Sequence, residues 1–551
     1  MAGLVSSLNL VPSFPDYTGP YKVGTVDVEI PVSELESPSP APEGAAHIHT
    51  ILFRIFYPAE AESYGKRVTW LPAPQRLHIA AYAQFLGAGP TLASILSHLA
   101  GSLASYGVVV ICPEHRDGSA ALSLIRDPES QDRGRTRHIV PYCPIPHNQT
   151  NEVWEARNKQ LRIRLWELGL VFEAVSALDR GDEPTLRSNL NHSTSPSALH
   201  QFTNTLDIHE PGKVIFSGHS FGAATIVQLL KSTFYANHPS VAAMPAPLFT
   251  PDRTSALRHQ VTPHTPTILL DMWCFPLLSA STAALYNLPL PCYSPTRASG
   301  PAPGGAALLA VESQAFYTWS NHLHCKARIL SPCPSFTQPI PPTMFGGDDD
   351  DGDHSGDGKD NAGAGRGGSG GGSGVAKPHF FYVASSAHLS QSDFGVLFPR
   401  LTKRVFKADR PARVLRLNLR AQLQFLRQNG VAVAGTARAD LVDGPVSVSG
   451  GADSADGGSG SESAGPGGGG AGCSGGKWVD DDKVILEKGG GKDGEGRVDA
   501  WRWIDIVGLG GEAYPSELEM SEGRREEQQT SAEEGEREMQ AEIEPAMATT
   551  A

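Results

Sequence analysis

Short apolar segments, each followed by a turn and then by a helical pattern, recur along the middle of the chain. They lie at residues 108–111, 214–216, 267–270, 307–311 and 379–383. Continuous apolar runs of this length are typical of strands in a parallel sheet that is covered on both faces. Because these runs alternate with helical patterns, we expect an α/β fold with a mostly parallel central sheet covered by helices.

The flanking patterns add strands at the start and long helices further along. Val26, Val28 and Ile30 alternate with polar residues, which is typical of a half-buried strand, and residues 51–57 predict a second strand. Apolar residues at three-to-four spacing predict a helix over 152–178, and a basic amphipathic pattern predicts another over 411–428. Residues 76–84 have helical character, and the uncharged stretch 85–112 predicts a buried helix that runs into a buried strand. We expect Asn151 to cap the 152–178 helix and Pro411 to open the last one.

Charge and composition narrow the possible partners and location. The chain has 551 residues and a formal net charge of −14, without a basic stripe, which argues against a nucleic-acid partner. Its seven cysteines form no CxxC pair, so we expect reduced thiols. No basic segment or long apolar run precedes Pro12, and glycines interrupt the uncharged stretch 85–112. We therefore expect no signal peptide, no transmembrane segment, and a cytoplasmic protein that is either free or bound peripherally to membranes.

One motif carries clear chemistry. Gly218-His219-Ser220-Phe221-Gly222 follows an apolar run and precedes a helical stretch. This is the Gly-x-Ser-x-Gly pattern of a nucleophilic serine at a tight strand-to-helix turn, where we expect the two glycines to prevent collisions. The following helix points its N-terminal amides at the serine, so we expect the Phe221 N–H to bind the oxyanion of the reaction.

A serine hydroxyl needs a base, and the base needs an acid to orient it. Asp271 follows the run 267–270 and His388 follows the run 379–383, so both lie just past predicted strand ends. The order Ser220, Asp271, His388 is the one that this kind of motif requires. Asp271 has an ordinary alternative as a strand-end acid that caps the next turn. Other histidines compete for the role of base: His209, His264, His322 and His324.

Two clusters invite a metal-binding interpretation, and neither has the required spacing. His322-Leu-His-Cys325 lacks a second pair of ligands. The aspartates of residues 348–353 lack the EF-hand pattern and its distal glutamate. We expect no metal and no cofactor.

Five segments together resemble the platelet-activating factor acetylhydrolase family, of the plasma and intracellular type II kind. They are Thr-Gly-Pro-Tyr at 18–21, Glu-His-Arg-Asp-Gly-Ser at 114–119, Gly-His-Ser-Phe-Gly at 218–222, Leu-Asp-Met-Trp-Cys-Phe-Pro-Leu at 270–277, and Ala387-His388 with Ser-Asp-Phe at 392–394. The resemblance implies an α/β-hydrolase that removes short (acetyl) or oxidised sn-2 acyl groups from glycerophospholipids, without calcium. The implied substrate is 1-alkyl-2-acetylglycerophosphocholine or a similar phospholipid, met at a lipid surface.

The resemblance also assigns roles. The family's nucleophile falls on Ser220, its acid on Asp271 and its base on His388, while Phe221 matches a residue that gives an oxyanion amide. Trp273 matches an aromatic residue beside the acyl site, with a core tryptophan as the alternative. We expect the segment 114–117 to pin a loop through ion pairs; direct catalytic use is its alternative.

The chain departs from the family at one place. The family has a strand that ends in a His-Gly-Leu-Gly-like loop, which supplies the second oxyanion amide. Here Phe-Leu-Gly-Ala-Gly-Pro stands at 85–90 instead. Either residues 86–89, with Leu86 as the donor, replace that loop, or a segment is missing between Tyr82 and Ser97. Losing one oxyanion donor costs about 10²–10³ in turnover.

Composition divides the chain into parts. We expect an α/β-hydrolase domain in two pieces, 1–345 and 377–445, interrupted by a disordered Gly/Asp/Ser-rich insertion at 346–376. A low-complexity linker at 446–478, a short docking segment at 479–510 and an acidic disordered tail at 511–551 follow. Two functional alternatives stay open: an esterase or acetyltransferase on other short-chain esters, and a catalytically impaired hydrolase-like protein that lacks the oxyanion loop.

Overall fold

The computed structural model describes residues 14–66, 68, 70, 74–86, 96–130, 135–191, 194–295, 301–346, 374–406, 408, 410–441, 478–488 and 498–511. Residues 347–373, 442–477 and 512–551 hold most of the predicted insertion, linker and tail. These three predictions therefore fall almost wholly outside the described residues.

Twelve strands are present in the described part of the chain. They are β1 (Lys22–Pro31), β2 (Thr50–Ala59), β3 (Val110–Glu114), β4 (Leu122–Arg126), β5 (Thr136–Pro141), β6 (Phe216–His219), β7 (Thr267–Leu270), β8 (Leu308–Ser313), β9 (His379–Val383), β10 (Thr436–Ala437), β11 (Trp478–Val479) and β12 (Trp501–Trp503).

A five-stranded sheet has the order β12-β9-β8-β7-β6, in which β6 to β9 are parallel and β12 is antiparallel to β9. A separate three-stranded sheet, β1-β2-β3, is antiparallel throughout. Strands β4 and β5 form a hairpin, and β10 pairs with β11. The fold is therefore mixed α/β with a parallel sheet, as the alternation of patterns predicts.

One strand prediction is wrong in direction. The apolar run at 108–111 predicts a parallel strand, but the strand that it enters, β3, pairs antiparallel with β2. Within the described residues, β3 pairs only with β2 and β6 only with β7, so no described strand joins the two sheets. A continuous apolar run reports burial on both faces of a strand, and burial does not encode strand direction.

Fourteen α-helices are present in the described residues. They are α1 (Gln75–Leu86), α2 (Ser97–Ser105), α3 (Asn151–Arg180), α4 (Glu183–Arg187), α5 (Pro196–Leu199), α6 (Phe221–Phe234), α7 (Pro239–Ala242), α8 (Leu257–Gln260), α9 (Ala283–Tyr286), α10 (Gln314–Tyr317), α11 (Ser320–Leu330), α12 (Asp393–Leu397), α13 (Pro399–Phe406) and α14 (Pro411–Gln428). None of these helices is long and apolar enough to cross a membrane.

The long helix α3 begins one residue earlier than predicted. Thr150, rather than Asn151, is its N-cap, and the Thr150 side chain accepts a hydrogen bond from the Val153 N–H. Gly181 ends the helix in the left-handed region, with φ 67°, where glycine carries no steric penalty. Thr150 and Asn151 are both residue types that cap helices well, so sequence alone does not decide between them.

The parallel sheet is buried on both faces, and alternate residues of each strand point to opposite cores. Leu269, with residues of α3, α6 and α11, lies in one core. Ile268 and Leu270, with residues of α2 and α14, lie in the other. A third core lies between the three-stranded sheet and α3. Helix α3 therefore contributes side chains to the cores of both sheets, and α6 carries the nucleophile turn at its start.

Two segments that follow residue 477 contact the parallel sheet and its covering helix α14. Trp501 of β12 is buried and stacks on Phe381 of β9, with ring centres 5.2 Å apart. The Arg420 guanidinium of α14 forms a buried ion pair with Asp482 at 2.8 Å. Segments 478–488 and 498–511 are thus held to the sheet and to α14.

Candidate active site

Ser220 lies between the end of β6 and the start of α6, at the tip of a strained turn. Its φ is 55°, an unusual value for a residue with a Cβ atom, and its N–H donates to the Leu270 carbonyl at 2.9 Å. A Cβ at Gly218 would lie 2.5 Å from the backbone of Gly222, whereas a Cβ at Gly222 would meet nothing within 4 Å. The expected collision therefore explains Gly218, and the prediction for Gly222 is wrong.

Asp271 follows the last residue of β7 and is fully buried. Its Oδ1 accepts a hydrogen bond from the Ser313 N–H at 2.5 Å, and its own N–H donates to the Val311 carbonyl at 2.8 Å. Burial alone would raise the pKa of Asp271. The hydrogen bond and charge of His388, aided by Lys326, outweigh burial and hold this pKa below its usual range. Asp271 is therefore fixed as a carboxylate.

His388 begins a short 3₁₀ helix, His388–Gln391, a few residues beyond β9. Its Nδ1 atom lies 2.9 Å from Asp271 Oδ2, and its Nε2 atom lies 3.0 Å from Ser220 Oγ. These contacts assign the proton to Nδ1, which donates to the carboxylate, and leave Nε2 to accept the serine hydroxyl. The structure thus brings together the three residues that the sequence predicts for the site.

Two aromatic side chains hold the His388 ring between them, and sequence reasoning missed both. His219 stacks on one face, with ring centres 4.5 Å apart and planes 21° apart, and Phe316 of α10 stacks at 4.5 Å and 9°. Burial, with the charge of His388, lowers the pKa of His219 to about 3, so this neighbour stays neutral. His219 could be suspected from its place in the Gly-x-Ser-x-Gly motif, but no sequence signal identifies Phe316.

The two predicted oxyanion residues differ in how the structure places them. Phe221 is the first residue of α6, where helical N–H groups lack partners within the helix. Leu86 is the last residue of α1, and residues 87–95, which include the remainder of the proposed replacement loop, lie outside the described residues. The oxyanion roles of both residues stay predictions.

Trp273 is half-buried beside the nucleophile turn, and its backbone N–H donates to the Ser220 carbonyl at 3.2 Å. Its ring meets the Phe221 ring edge-on at 5.9 Å and stacks on Phe275 at 5.6 Å. The guanidinium of buried Arg157 lies 5.0 Å from the centre of the Trp273 ring. Trp273 therefore forms part of an aromatic and cationic wall next to Ser220.

The segment 114–119 is tied to α3 by buried polar contacts. Asp117 pairs with Arg164 at 2.6 Å, and His115 contacts Glu167 at 2.8 Å. The Arg164 guanidinium in turn lies 4.1 Å from the centre of the Phe221 ring. These contacts match the interpretation that the segment pins a loop. Through Arg164, they also connect the segment to Phe221, the predicted oxyanion donor.

The competing histidines have other contacts. His322 Nε2 accepts the Cys274 N–H at 3.0 Å, His324 Nδ1 contacts the Gly510 carbonyl at 2.6 Å, and His209 contacts Asp179 at 2.7 Å. Neither His322 nor His324 belongs to a group of three metal-ligand side chains in the described part of the chain. The aspartates at 348–353 lie outside it.

Among the residues that the structure describes, one group of three side chains has atoms of the kind that ligate metals within 4.8 Å of one another: His219, Asp271 and His388. Asp271 and His388 already bond to each other, and His388 also contacts Ser220. This hydrogen-bond chain from carboxylate through imidazole to hydroxyl is the arrangement of a serine nucleophile with its base and acid.

Comparison with known proteins confirms the resemblance found in the sequence. Residues 86–290 match the family described as "Platelet-activating factor acetylhydrolase, isoform II". A protein of Schizosaccharomyces pombe named "Putative phospholipase A2" is 26% identical over 352 residues, which are 61% of this chain and 65% of that protein.

Two mammalian proteins named "Platelet-activating factor acetylhydrolase" match over shorter stretches. The protein of Cavia porcellus is 33% identical over 138 residues, and that of Bos taurus is 28% identical over 137 residues. Each match covers 25% of this chain, and 28% or 29% of the relative's length. The chain thus spans 65% of the fission yeast relative and less than a third of the mammalian ones.

Proposed function

We propose that this protein is a calcium-independent serine ester hydrolase with an α/β-hydrolase fold. Its proposed substrates are glycerophospholipids with a short (acetyl) or oxidised sn-2 acyl group, such as 1-alkyl-2-acetylglycerophosphocholine. The observation that carries the proposal is the chain of contacts from Asp271 through His388 to Ser220, at 2.9 Å and 3.0 Å. The named relatives, and the match over residues 86–290, support the substrate class.

In the first half of the reaction, His388 Nε2 takes the proton of the Ser220 hydroxyl as Oγ attacks the ester carbonyl. The Phe221 N–H then donates to the oxyanion of the tetrahedral intermediate. As the intermediate collapses, His388 gives its proton to the departing alcohol oxygen of the lysophospholipid. Asp271 stabilises the imidazolium that exists between these two steps and keeps the ring in the productive tautomer.

In the second half, water attacks the acyl-enzyme while His388 accepts a proton from it. The same oxyanion contact forms again, and collapse returns the proton to Ser220 and releases the free carboxylic acid. The strained φ of Ser220 supports this cycle, because this turn holds Oγ 3.0 Å from His388 Nε2.

The position of Trp273 supports a role for the aromatic and cationic wall beside Ser220 in binding the acyl group. Its backbone contacts Ser220 and its half-buried ring contacts Phe221, so an acyl group on Ser220 would lie next to that ring. We propose that Trp273 limits the length of the acyl chain. The substrate would be met at a lipid surface by a cytoplasmic protein that is either free or bound peripherally to membranes.

The first experiment measures acid release from 2-acetyl and 2-palmitoyl phosphatidylcholine analogues by the full chain, by Ser220→Ala, and by Ser217→Ala as a matched control. The proposal predicts release of acetate but little palmitate, loss of activity in Ser220→Ala, and retention in Ser217→Ala. A preference for a soluble acetyl ester over the aggregated lipid would favour the alternative of a soluble short-chain esterase or acetyltransferase. Activity that survives in Ser220→Ala would overturn the mechanism.

The departure at residues 85–90 favours a second candidate, a catalytically impaired hydrolase-like protein. Folded protein that hydrolyses neither lipid nor soluble ester would support this candidate. Sequencing the transcript across residues 82–97 would then decide whether a second oxyanion donor is missing from the natural chain.

A further inference from the structure

A buried cation that the mechanism above does not use lies in the aromatic and cationic wall beside Ser220. Arg157 of α3 is 6% exposed. Its guanidinium lies 5.0 Å from the centre of the Trp273 ring and 5.8 Å from the centre of the Phe221 ring. Trp273 donates its backbone N–H to the Ser220 carbonyl, and Phe221 follows Ser220 directly in the chain. Arg157 is therefore packed against both aromatic residues that adjoin the nucleophile.

The Arg157 guanidinium forms no ion pair with the described residues. Its Nη1 atom donates to Gln160 Oε1 at 2.9 Å, and its Nη2 atom donates to the Ile145 carbonyl at 2.8 Å. Both acceptors are neutral. The buried Nε atom has no hydrogen-bond partner in the described part of the chain. Because a guanidinium has five N–H donors, Arg157 keeps donors that these two contacts do not use.

The other arginine of the wall has a counter-charge, which sets Arg157 apart. Arg164, two turns further along α3, lies 4.1 Å from the centre of the Phe221 ring and pairs with Asp117 at 2.6 Å. Burial lowers the pKa of Arg157 to about 10, which still leaves the guanidinium charged at neutral pH. A buried charge loses its hydration, and a close counter-charge usually offsets that loss. The described residues supply no such partner to Arg157.

We propose that Arg157 is a specificity-determining residue, which binds an anionic group of the substrate while the ester lies at Ser220. This inference rests on the proposed function and names the charge that its substrates carry. The anion can come from two parts of an oxidised phospholipid: the carboxylate that ends an oxidatively shortened sn-2 chain, or the phosphate of the head group. In both, oxygen atoms accept charge-assisted hydrogen bonds from a guanidinium.

The decisive measurement is equilibrium binding of three monomeric lipids to the full chain with Ser220→Ala, which does not hydrolyse them. The lipids are 1-hexyl-2-glutaroyl-glycerophosphocholine, 1-hexyl-2-pentanoyl-glycerophosphocholine and 1-hexyl-2-pentanoylglycerol. The first two differ by the carboxylate at the chain end, and the last two differ by the phosphocholine group. We expect at least one of these groups to tighten binding about 10-fold or more, because hydrogen bonds between charged groups are the stronger kind.

Arg157→Met, made in the same Ser220→Ala protein, removes the charge and keeps the length of the side chain. Loss of the difference between the glutaroyl and pentanoyl lipids would identify the chain-end carboxylate as the ligand. Loss of the difference between the phosphocholine lipid and the glycerol lipid would identify the phosphate. Arg157→Lys keeps the charge and should retain part of the gain that Arg157→Met loses.

Arg162→Met is the matched control for the loss of one arginine charge from α3. Arg162 pairs with the exposed carboxylate of Glu155 at 2.8 Å. This variant should bind all three lipids as the parent protein does.

Equal weakening of all three lipids in Arg157→Met would show that the residue only supports the wall, through its contacts with Gln160 and Ile145, and would overturn the proposal. Differences that persist unchanged in Arg157→Met would overturn it as well. A parent protein that binds all three lipids equally would do the same, whether or not Arg157→Met folds.

Turnover of the three lipids by the chain that retains Ser220 separates this inference from the proposed function. Hydrolysis with no preference for a charged lipid would contradict only the role of Arg157. Preferential binding of a charged lipid without any hydrolysis would contradict only the proposed function. Protein that neither binds nor hydrolyses any of the three would overturn both.

Discussion

His388 Nδ1 lies 2.9 Å from Asp271 Oδ2, although 117 residues separate the two in the chain. The contact forms because β7 and β9 are both neighbours of β8 in a parallel sheet, so the residues that follow them emerge at the same edge. The carboxyl end of a parallel sheet is thus what makes this acid–base couple possible.

Asp271→Asn tests that couple directly. The amide can still accept a hydrogen bond, but it favours the wrong histidine tautomer, in which Nε2 carries the proton. We expect kcat to fall about 10³–10⁴-fold with little change in KM. Steady-state kinetics on the 2-acetyl lipid analogue checks this, with Asp440→Asn as a control at a buried acid that accepts the Tyr106 hydroxyl and contacts no triad residue. A loss of less than tenfold would show that Asp271 does not orient the base.

Phe316 holds one face of the His388 ring, so its removal should loosen the base. We expect Phe316→Ala to lower kcat about 10-fold or more, because small misplacements of a catalytic group are costly. Phe316→Tyr keeps the ring and should retain most activity. Equal activity in the two variants would mean that the stacking contact has no part in positioning His388.

The two motif glycines should respond oppositely to alanine. A Cβ at Gly218 would lie 2.5 Å from the Gly222 backbone, whereas one at Gly222 meets open space. Gly218→Ala should therefore lose activity and lower Tm. Gly222→Ala should keep the fold and gain up to about 1 kcal/mol of helix stability. Thermal unfolding of both variants provides the check, and a reversed order of Tm values would contradict the geometry of the turn.

Asp393 predicts a pH dependence of stability. Its carboxylate accepts the N–H groups of Ser97 and His98 at 2.9 Å, and burial raises its pKa from 3.8 to about 6. Because the folded state binds this proton more tightly, ionisation of Asp393 costs stability. That cost should appear as pH rises from about 4 to about 6, amounting to about 3 kcal/mol at most.

Asp393→Asn lacks this titration. The free energy of unfolding of wild type, minus that of Asp393→Asn, should therefore decrease as pH rises through this window. Denaturant titrations at several pH values measure the difference. A difference that stays constant from pH 4 to pH 6, or that increases, would contradict the assignment.

The sequence predicts the triad residues because each of them follows a strand. The end of a strand can be recognised in the sequence as the end of an apolar run. The runs at 267–270 and 379–383 match β7 and β9 residue for residue. The direction of β3 could not be read in this way, since pairing partners, not composition, determine it. The same holds for the stacking of Phe316 on His388 and for the contact of Lys326 Nζ with the Phe316 ring, which depend on how α10 and α11 pack.

Covalent labelling of the folded protein by a fluorophosphonate, followed by mass spectrometry of its peptides, tests the central claim most directly. The reagent requires a serine that is activated by a base, and it requires no knowledge of the substrate. We predict a single modified residue, Ser220, with labelling abolished in Ser220→Ala and strongly slowed in His388→Gln. Folded wild-type protein that stays unlabelled, or that is labelled at another serine, would contradict a catalytic triad of Ser220, His388 and Asp271.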